Sequence, residues 1–399
     1  AGLFNAGVMA STALGGLAAV LVSHSPVGEA WAVGGLDTGL TVITLVLTVL
    51  GAWWIRKKMP EGPLRRVLFL VWLLGGYVLL RHFYEQASLN IEAVDPAQTG
   101  FLGGLGLPIL LSWIAGGVAA AGLAWIVGRV ALGLRSDYFA IATLGISEIM
   151  ISILKNEDWL TRGVKNVTGL ERPVPYEVDL QQSQWFIDLV IRLHSADPNQ
   201  VGEEALQEMV MSASGVFVKL CYSGLFLTVL LLILGLAALA LNSPWGRMMR
   251  AIRDNEIAAA AMGKDVTNRH RQVFILGSAI IGVAGAMLTT LDGQFTPGSY
   301  IPLRFTFLIW VMVIIGGSGN NLGAVLGAFI TWFAWIEAEP VALWAVKNLN
   351  SFLSEENPLR QHFIEVAPHL RMVVMGMILI LVLRFRPAGI LPEKNTNRT

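Results

Sequence analysis

"RAIRDNEIAAAAMGKDV", residues 250–266, holds six charged residues and a run of alanines between two strongly apolar stretches. Asp254 and Asn255 are good helix caps. Glu256, near the start, suits the positive end of a helix dipole. "IAAAAM" is strongly helix-forming, and Gly263 is a natural terminator. The segment therefore reads as a short helix over 255–262, roughly 12 Å long. It follows Arg247, Arg250 and Arg253 at i, i+3, i+6 spacing. A smooth alanine surface suits docking into another protein's groove. An ordinary connecting helix with basic anchors fits the same spacing, and spacing alone leaves both open.

The rest of the chain gives this segment its setting. Of 399 residues, 54% are hydrophobic and only 14% charged, with a mean hydropathy of +0.61. That is too apolar for one soluble core of this size. The formal net charge is zero, which implies no nucleic-acid partner. Cys221 is the single cysteine and forms no intrachain disulfide. Apolar stretches recur at 1–22, 38–55, 67–82, 105–128, 137–154, 215–241, 272–291, 303–316, 321–340 and 371–385. The expected fold is all-α: a polytopic membrane helical bundle of about ten membrane segments, some short enough to be tilted, broken or re-entrant.

Lysine and arginine set the orientation. "RKKMPEGPLRR" (56–66) has five basic residues and one acidic, and 242–271 has six basic and three acidic. Residues 83–104 carry three acids and no Lys or Arg, and 155–214 carries ten acids and five bases. Ten crossings place the basic regions in the cytoplasm and both acidic ones outside. The expected organisation is N-terminal membrane segments (1–154), an external loop subdomain (155–214), a membrane helix (215–241), a cytoplasmic loop (242–271), C-terminal membrane segments (272–385) and a cytoplasmic tail (386–399). Within the external loop, "SQWFIDLVIRL" reads as a short amphipathic helix.

Catalytic constellations are missing. Gly263-Lys264 is followed by Asp265 and lacks the upstream glycine of a phosphate loop. The six histidines are scattered without a metal-ligand spacing, and no GxSxG elbow is present. The chain is expected to bind no metal or cofactor and to be no enzyme. Energy for any work must come from an ion gradient or a partner.

"WGRMMRAIRDNEIAAAAMGKDVTNRHRQVFILGSAIIGVAGAM" resembles the cytoplasmic coupling loop of branched-chain amino acid ABC transporter permeases of the LivM type. Glu256, Ala258, Ala259 and Gly263 match the family's "EAA…G" signature. "LRSDYFAIATLGISEI" (134–149) is similar to "LRGDYLAIVTLGFGEI", "VMVIIGGSGNNLGAVLGA" (311–328) to "VMVVLGGLGSLPGPVLGA", and "RFRPAGIL" (384–391) to "FRPRGLL". The opening "GLFNAGVMASTALGGLAAVL" is a weaker match to "GQLSLGHAAFFGIGAYAAAL", with Val8 where that pattern has histidine. A match from residue 2 implies that the family's first spans precede it. The resemblance implies a subunit without its own ATPase site, coupled through Arg250, Arg253, Glu256, Ala258, Ala259 and Gly263 to two ATPase subunits that use ATP and Mg. It further implies a LivH-like sister permease, a periplasmic amino-acid-binding protein, a place in the bacterial inner membrane and leucine, isoleucine or valine as cargo. Urea and short-amide permeases look alike at these motifs.

Other residues invite a functional and a structural reading together. Asp137 and Glu148 are eleven apart, so both carboxylates share a helix face with Ser152. Asp137, Tyr138, Glu148 and Ser152 are candidates for the translocation path or a sister contact. The alternatives are a local ion pair or backbone bond. Gly316, Gly317 and Gly319 could unwind a helix near the path, or build a tight hairpin. A gradient-driven transporter, with Glu148 as its coupling carboxylate, is the competing function.

Overall fold

The structure, a computed structural model, describes residues 5–194, 202–350 and 370–393. The side chains at positions 136, 137, 349 and 350 lie outside that description. Most of the described residues are helical. Each of the ten apolar stretches corresponds to one helix, the stretches at 1–22 and 105–128 entering theirs only at Val8 and Ile109. These are α1 (Val8–Ser23), α2 (Gly28–Lys58), α3 (Pro63–Glu92), α4 (Ile109–Ala131), α5 (Ser136–Asn156), α9 (Glu203–Asn242), α12 (Val266–Asp292), α13 (Pro302–Gly316), α14 (Asn321–Asn350) and α15 (Leu370–Phe385). Seven of them are long and apolar enough to cross a membrane, and α1 and α13 are shorter apolar helices. The described residues form two compact units, one within 1–233 and 242–302 and the other within 234–241 and 303–399.

The core of the first unit is the packing of α1, α4 and α12. Lipid is as apolar as leucine, so small residues that let backbones approach carry helix association in a membrane. The sequence supplies them. Cβ atoms on Gly15, Gly282 and Gly285 would stand only 2.0 Å from Gly282 O, 2.3 Å from Gly116 O and 2.1 Å from Thr12 O. Helix α1 is buried along most of its length. Its 16 residues span about 24 Å, less than a bilayer core of roughly 30 Å. A helix enclosed by its neighbours has no lipid thickness to match. Two buried polar side chains here find partners within the protein, as a water-free interior favours: Trp113 Nε1 donates to Thr290 Oγ1 at 2.9 Å and Tyr222 OH to Thr290 O at 3.3 Å.

Residues 155–214 hold α6 (Asp158–Thr161), β1 (Val167–Thr168), α7 (Glu177–Gln182) and α8 (Gln184–Leu193), the last being the expected amphipathic helix. This region is stitched to the rest. Strand β1 pairs antiparallel with β2 (Gln294–Phe295). Phe186 and Val190 of α8 are buried with Val210, Val218 and Tyr222 of α9. Helix α9 is continuous from Glu203 to Asn242, so there is no break at the 214/215 boundary. Likewise α12 starts at Val266, inside the segment read as loop to residue 271.

In the second unit Leu308, Val311, Ile315, Trp335 and Met375 form the core of α13, α14 and α15. Arg304 and Arg371 both stack on Trp335, at 5.1 and 4.9 Å, and Arg371 pairs with Glu339.

Candidate coupling and translocation site

The coupling loop is two short helices at a sharp bend, α10 (Pro244–Asp254) and α11 (Glu256–Ala261). Local chemistry sets each boundary. Ser243 caps α10 by accepting from Gly246 N at 3.3 Å, and Pro244 sits at its first turn. Asn255 is extended (φ −154°), breaks the helix, and caps α11 by accepting from Ala258 N at 2.9 Å. Gly263 takes φ +76°, a left-handed conformation that ends the turn. Asp265 then caps α12 through Asn268 N at 3.0 Å. Three side-chain caps in 23 residues specify this fold locally. Helix α11 is six residues long, about 9 Å, and one residue shorter at each end than expected.

The loop has its own small core. Met249, Ile252, Ala259 and Val266 are buried together, flanked by Trp245, Met248 and Val273. Trp245 Nε1 and Arg269 Nη1 both donate to Gln272 Oε1, at 3.2 and 3.0 Å, tying α10 to α12. The candidate residues divide accordingly. Ala259 faces inward; Glu256, Ala258 and Gly263 are exposed. Arg250 is half-buried, and Arg253 pairs with Asp254 at 3.2 Å. Two residues were not among the candidates: Ile257, 83% exposed, and Met262, 79% exposed. Single large apolar side chains in an alanine and charged segment were the available signal. Large apolar side chains are most often buried, so only the burial of their neighbours reveals that these two point outward.

On α5, Tyr138, Glu148 and Ser152 share an exposed stripe with Ile141, Gly145, Ile149 and Ile153. The side chain of Asp137 lies outside the described residues. Among the described residues Glu148 has no ion-pair or hydrogen-bond partner, so the expected local bond is not made. A carboxylate near the middle of an apolar span, facing outward, calls for a polar neighbour beyond its own helix.

The three glycines of the second unit build a turn. Gly317 and Gly319 have φ +118° and +93° between α13 and α14. Asn320 Oδ1 accepts from Leu322 N and Gly323 N at 3.0 and 3.3 Å, starting α14. Gly316 is buried, and a Cβ there would stand 1.8 Å from Gly323 O. The "RPAGIL" segment closes over the turn, with Ile390 N and Leu391 N each donating at 2.9 Å to Ile315 O and Gly316 O. The hairpin reading accounts for all three glycines without a translocation role.

At the end of α12, Tyr300 packs on Phe295 and meets Thr289 Oγ1 at 3.3 Å. Burial pushes its phenol up to about 12, the Thr289 bond opposes this, and the Asp292 charge adds to it. Gln294 is exposed beside it in β2. No group of metal-ligating side chains is present among the described residues.

Comparison with known proteins accords with this geometry. The profile of the family described as "Branched-chain amino acid transport system / permease component" matches residues 68–383. The chain is 23% identical over 339 residues to a probable branched-chain amino acid transport permease protein LivM of Methanocaldococcus jannaschii, covering 84% of this chain and 81% of that one. It is 24% identical to the high-affinity LivM permease protein of Salmonella typhimurium, covering 69% of this chain but only 56% of that protein's length. It is 26% identical to the high-affinity LivH permease protein of Escherichia coli, covering 80% and 83%. No solved structure matches the chain. With a polytopic helical fold and a family match across most of its length, the chain belongs to the branched-chain amino acid transport permease components, and its resemblance is to the LivM type.

Proposed function

We propose that this permease is one membrane-spanning subunit of an ATP-driven importer in the bacterial inner membrane, and that α10–α11 receives the motion of an ATPase subunit. One observation carries the proposal. A separately capped, separately packed helix pair presents Ile257 and Met262 to solvent, where an isolated connecting loop would gain by burying them. Burying one such side chain in a partner groove contributes roughly 1.5–3 kcal/mol. The cargo is a branched-chain amino acid, delivered by a periplasmic binding protein to a path shared with a LivH-like sister permease. Glu148 and Ser152 line that path or the sister contact. ATP and Mg belong to the partner ATPases.

The test is purification of the intact complex carrying Ile257→Asp or Met262→Asp, with ATPase retention and ATP-driven leucine uptake both measured. The expected result is loss of bound ATPase, and uptake reduced at least tenfold, with the permease still folded. Full ATPase retention and normal uptake in both variants would refute the coupling assignment. Uptake driven by a proton or sodium gradient in the chain alone would favour the gradient-driven reading. Urea or amide uptake without leucine uptake would replace the cargo and leave the coupling intact.

A further inference from the structure

Helices α2 and α3 form a long hairpin whose exposed residues within 31–54 and 67–79 are almost wholly apolar, with Trp53, Trp54 and Trp72 among them. The two helices lock together at glycines. Trp72 packs over Gly51 and donates from Nε1 to Thr48 O at 2.9 Å, and Thr48 fills the space over Gly76. Beside this lock runs an apolar groove of about 620 Å³, with Leu47, Ile55, Met59, Leu68, Val71 and Leu79 in its walls. From Leu68 to Leu79 it extends about 17 Å along α3. One leaflet of a bilayer core is roughly 15 Å deep.

One end of the groove is cationic. A second hollow, about 260 Å³, is lined by Arg56, Glu61, Gly62, Arg65, Arg66 and Phe69 at the hairpin turn. It adjoins the groove through consecutive residues, Ile55–Arg56 and Leu68–Phe69. Arg56 stacks on Phe69 at 4.7 Å, and Arg65 reaches Met59 O at 3.5 Å, directly at the groove's end. Glu61, 3.5 Å from Arg65, is the one carboxylate there, and Arg66 has no acidic partner among the described residues. Three guanidiniums against one carboxylate leave a surplus of positive charge where headgroups lie.

We propose that this hairpin binds one anionic phospholipid, with an acyl chain in the groove and its phosphate on Arg56, Arg65 and Arg66. Groove depth selects the occupant: an acyl chain ends within the leaflet, whereas a partner's helix would continue across it. The charge selects the headgroup, because guanidiniums recognise phosphate in fork geometry and a zwitterionic lipid brings its own cation. The site is distinct from the coupling loop and does not depend on the cargo.

The test uses the full-length chain, delipidated in detergent and titrated with phosphatidylglycerol or phosphatidylcholine, with bound lipid counted by native mass spectrometry. Wild type is expected to retain one phosphatidylglycerol in preference to phosphatidylcholine. Arg65→Gln with Arg66→Gln should lower that preference by about fivefold per arginine. Gly75→Leu fills the groove from a position where a Cβ meets nothing within 4 Å, and should abolish retention of either lipid. Equal retention of both lipids by wild type, or unchanged retention in Gly75→Leu, would overturn the proposal. So would a covalent crosslink from a photoactivatable benzophenone side chain at position 75 to another subunit in native membranes, which would make the occupant a protein.

Discussion

Gly285→Ala and Gly277→Ala are the same chemical change in one helix, and the packing of α12 predicts opposite outcomes. Both add a methyl group and remove a glycine from a helix interior, which by itself favours the helix by roughly 0.8–1 kcal/mol. At Gly277 the new Cβ meets nothing within 4 Å. At Gly285 it would stand 2.1 Å from Thr12 O and 2.8 Å from Thr12 C and Cα. Those are backbone atoms of α1, so no side chain can turn aside. Ordinary contact starts at 3.4 Å, so α1 must retreat by about 1 Å. Gly15 of α1 lies against Gly282 O in the same interface, so a retreat of α1 loosens that approach as well. Forcing a methyl group into such packing costs about 1–3 kcal/mol. The propensity gain is common to both variants and cancels, so their difference measures the packing cost. Reversible unfolding of the two purified variants in detergent gives that difference. Gly285→Ala should be the less stable by 1–3 kcal/mol. A difference below about 0.5 kcal/mol would mean that α1 and α12 do not approach as described.

Asn255→Ala removes the cap on α11 and should cost about 1 kcal/mol of local stability, seen as faster hydrogen exchange at the Ala258 amide; unchanged exchange would disprove the cap. Gly389→Ala puts a side chain on a residue at φ +78°, with its Cβ 2.3 Å from Gly317 Cα. It should lower the melting temperature, whereas Gly298→Ala, open within 4 Å, should not. Tyr300 has its folded pKa raised from 10.0 to about 12 by burial. Its protonated form therefore favours folding fully below pH 10, and that contribution fades as pH rises towards about 12. Wild type minus Tyr300→Phe should show no phenolate absorbance step below pH 10.

Much of this protein is legible in one dimension. Ten apolar stretches became ten helices because hydrocarbon leaves a backbone no other partner than itself. The ends of α11 were readable because a cap acts over three residues: Asn255 holds the Ala258 amide of its own first turn. The alanine run and Gly263 could be placed for the same reason. Glu148, by contrast, could be put on a face of α5 but not given a neighbour. Whether a carboxylate has a local arginine depends on helices distant in sequence, and among the described residues it has none.

Gly282 and Ala286 form a small-xxx-small pair that the sequence already marks for helix packing. Gly277 and Gly285 look alike there, and only the tertiary structure shows that Gly285 lies against the backbone of α1. It also revealed that Ile257 and Met262 face outward while Ala259 does not, that β1 of the 155–214 segment pairs with residues 294–295, and that "RPAGIL" closes over the Gly316–Gly319 turn. The sequence by itself determined what each segment is, because helix formation, capping and membrane insertion depend on near neighbours and on the solvent. Which segments touch was decided only by steric fit between surfaces far apart along the chain, a property that no local pattern encodes.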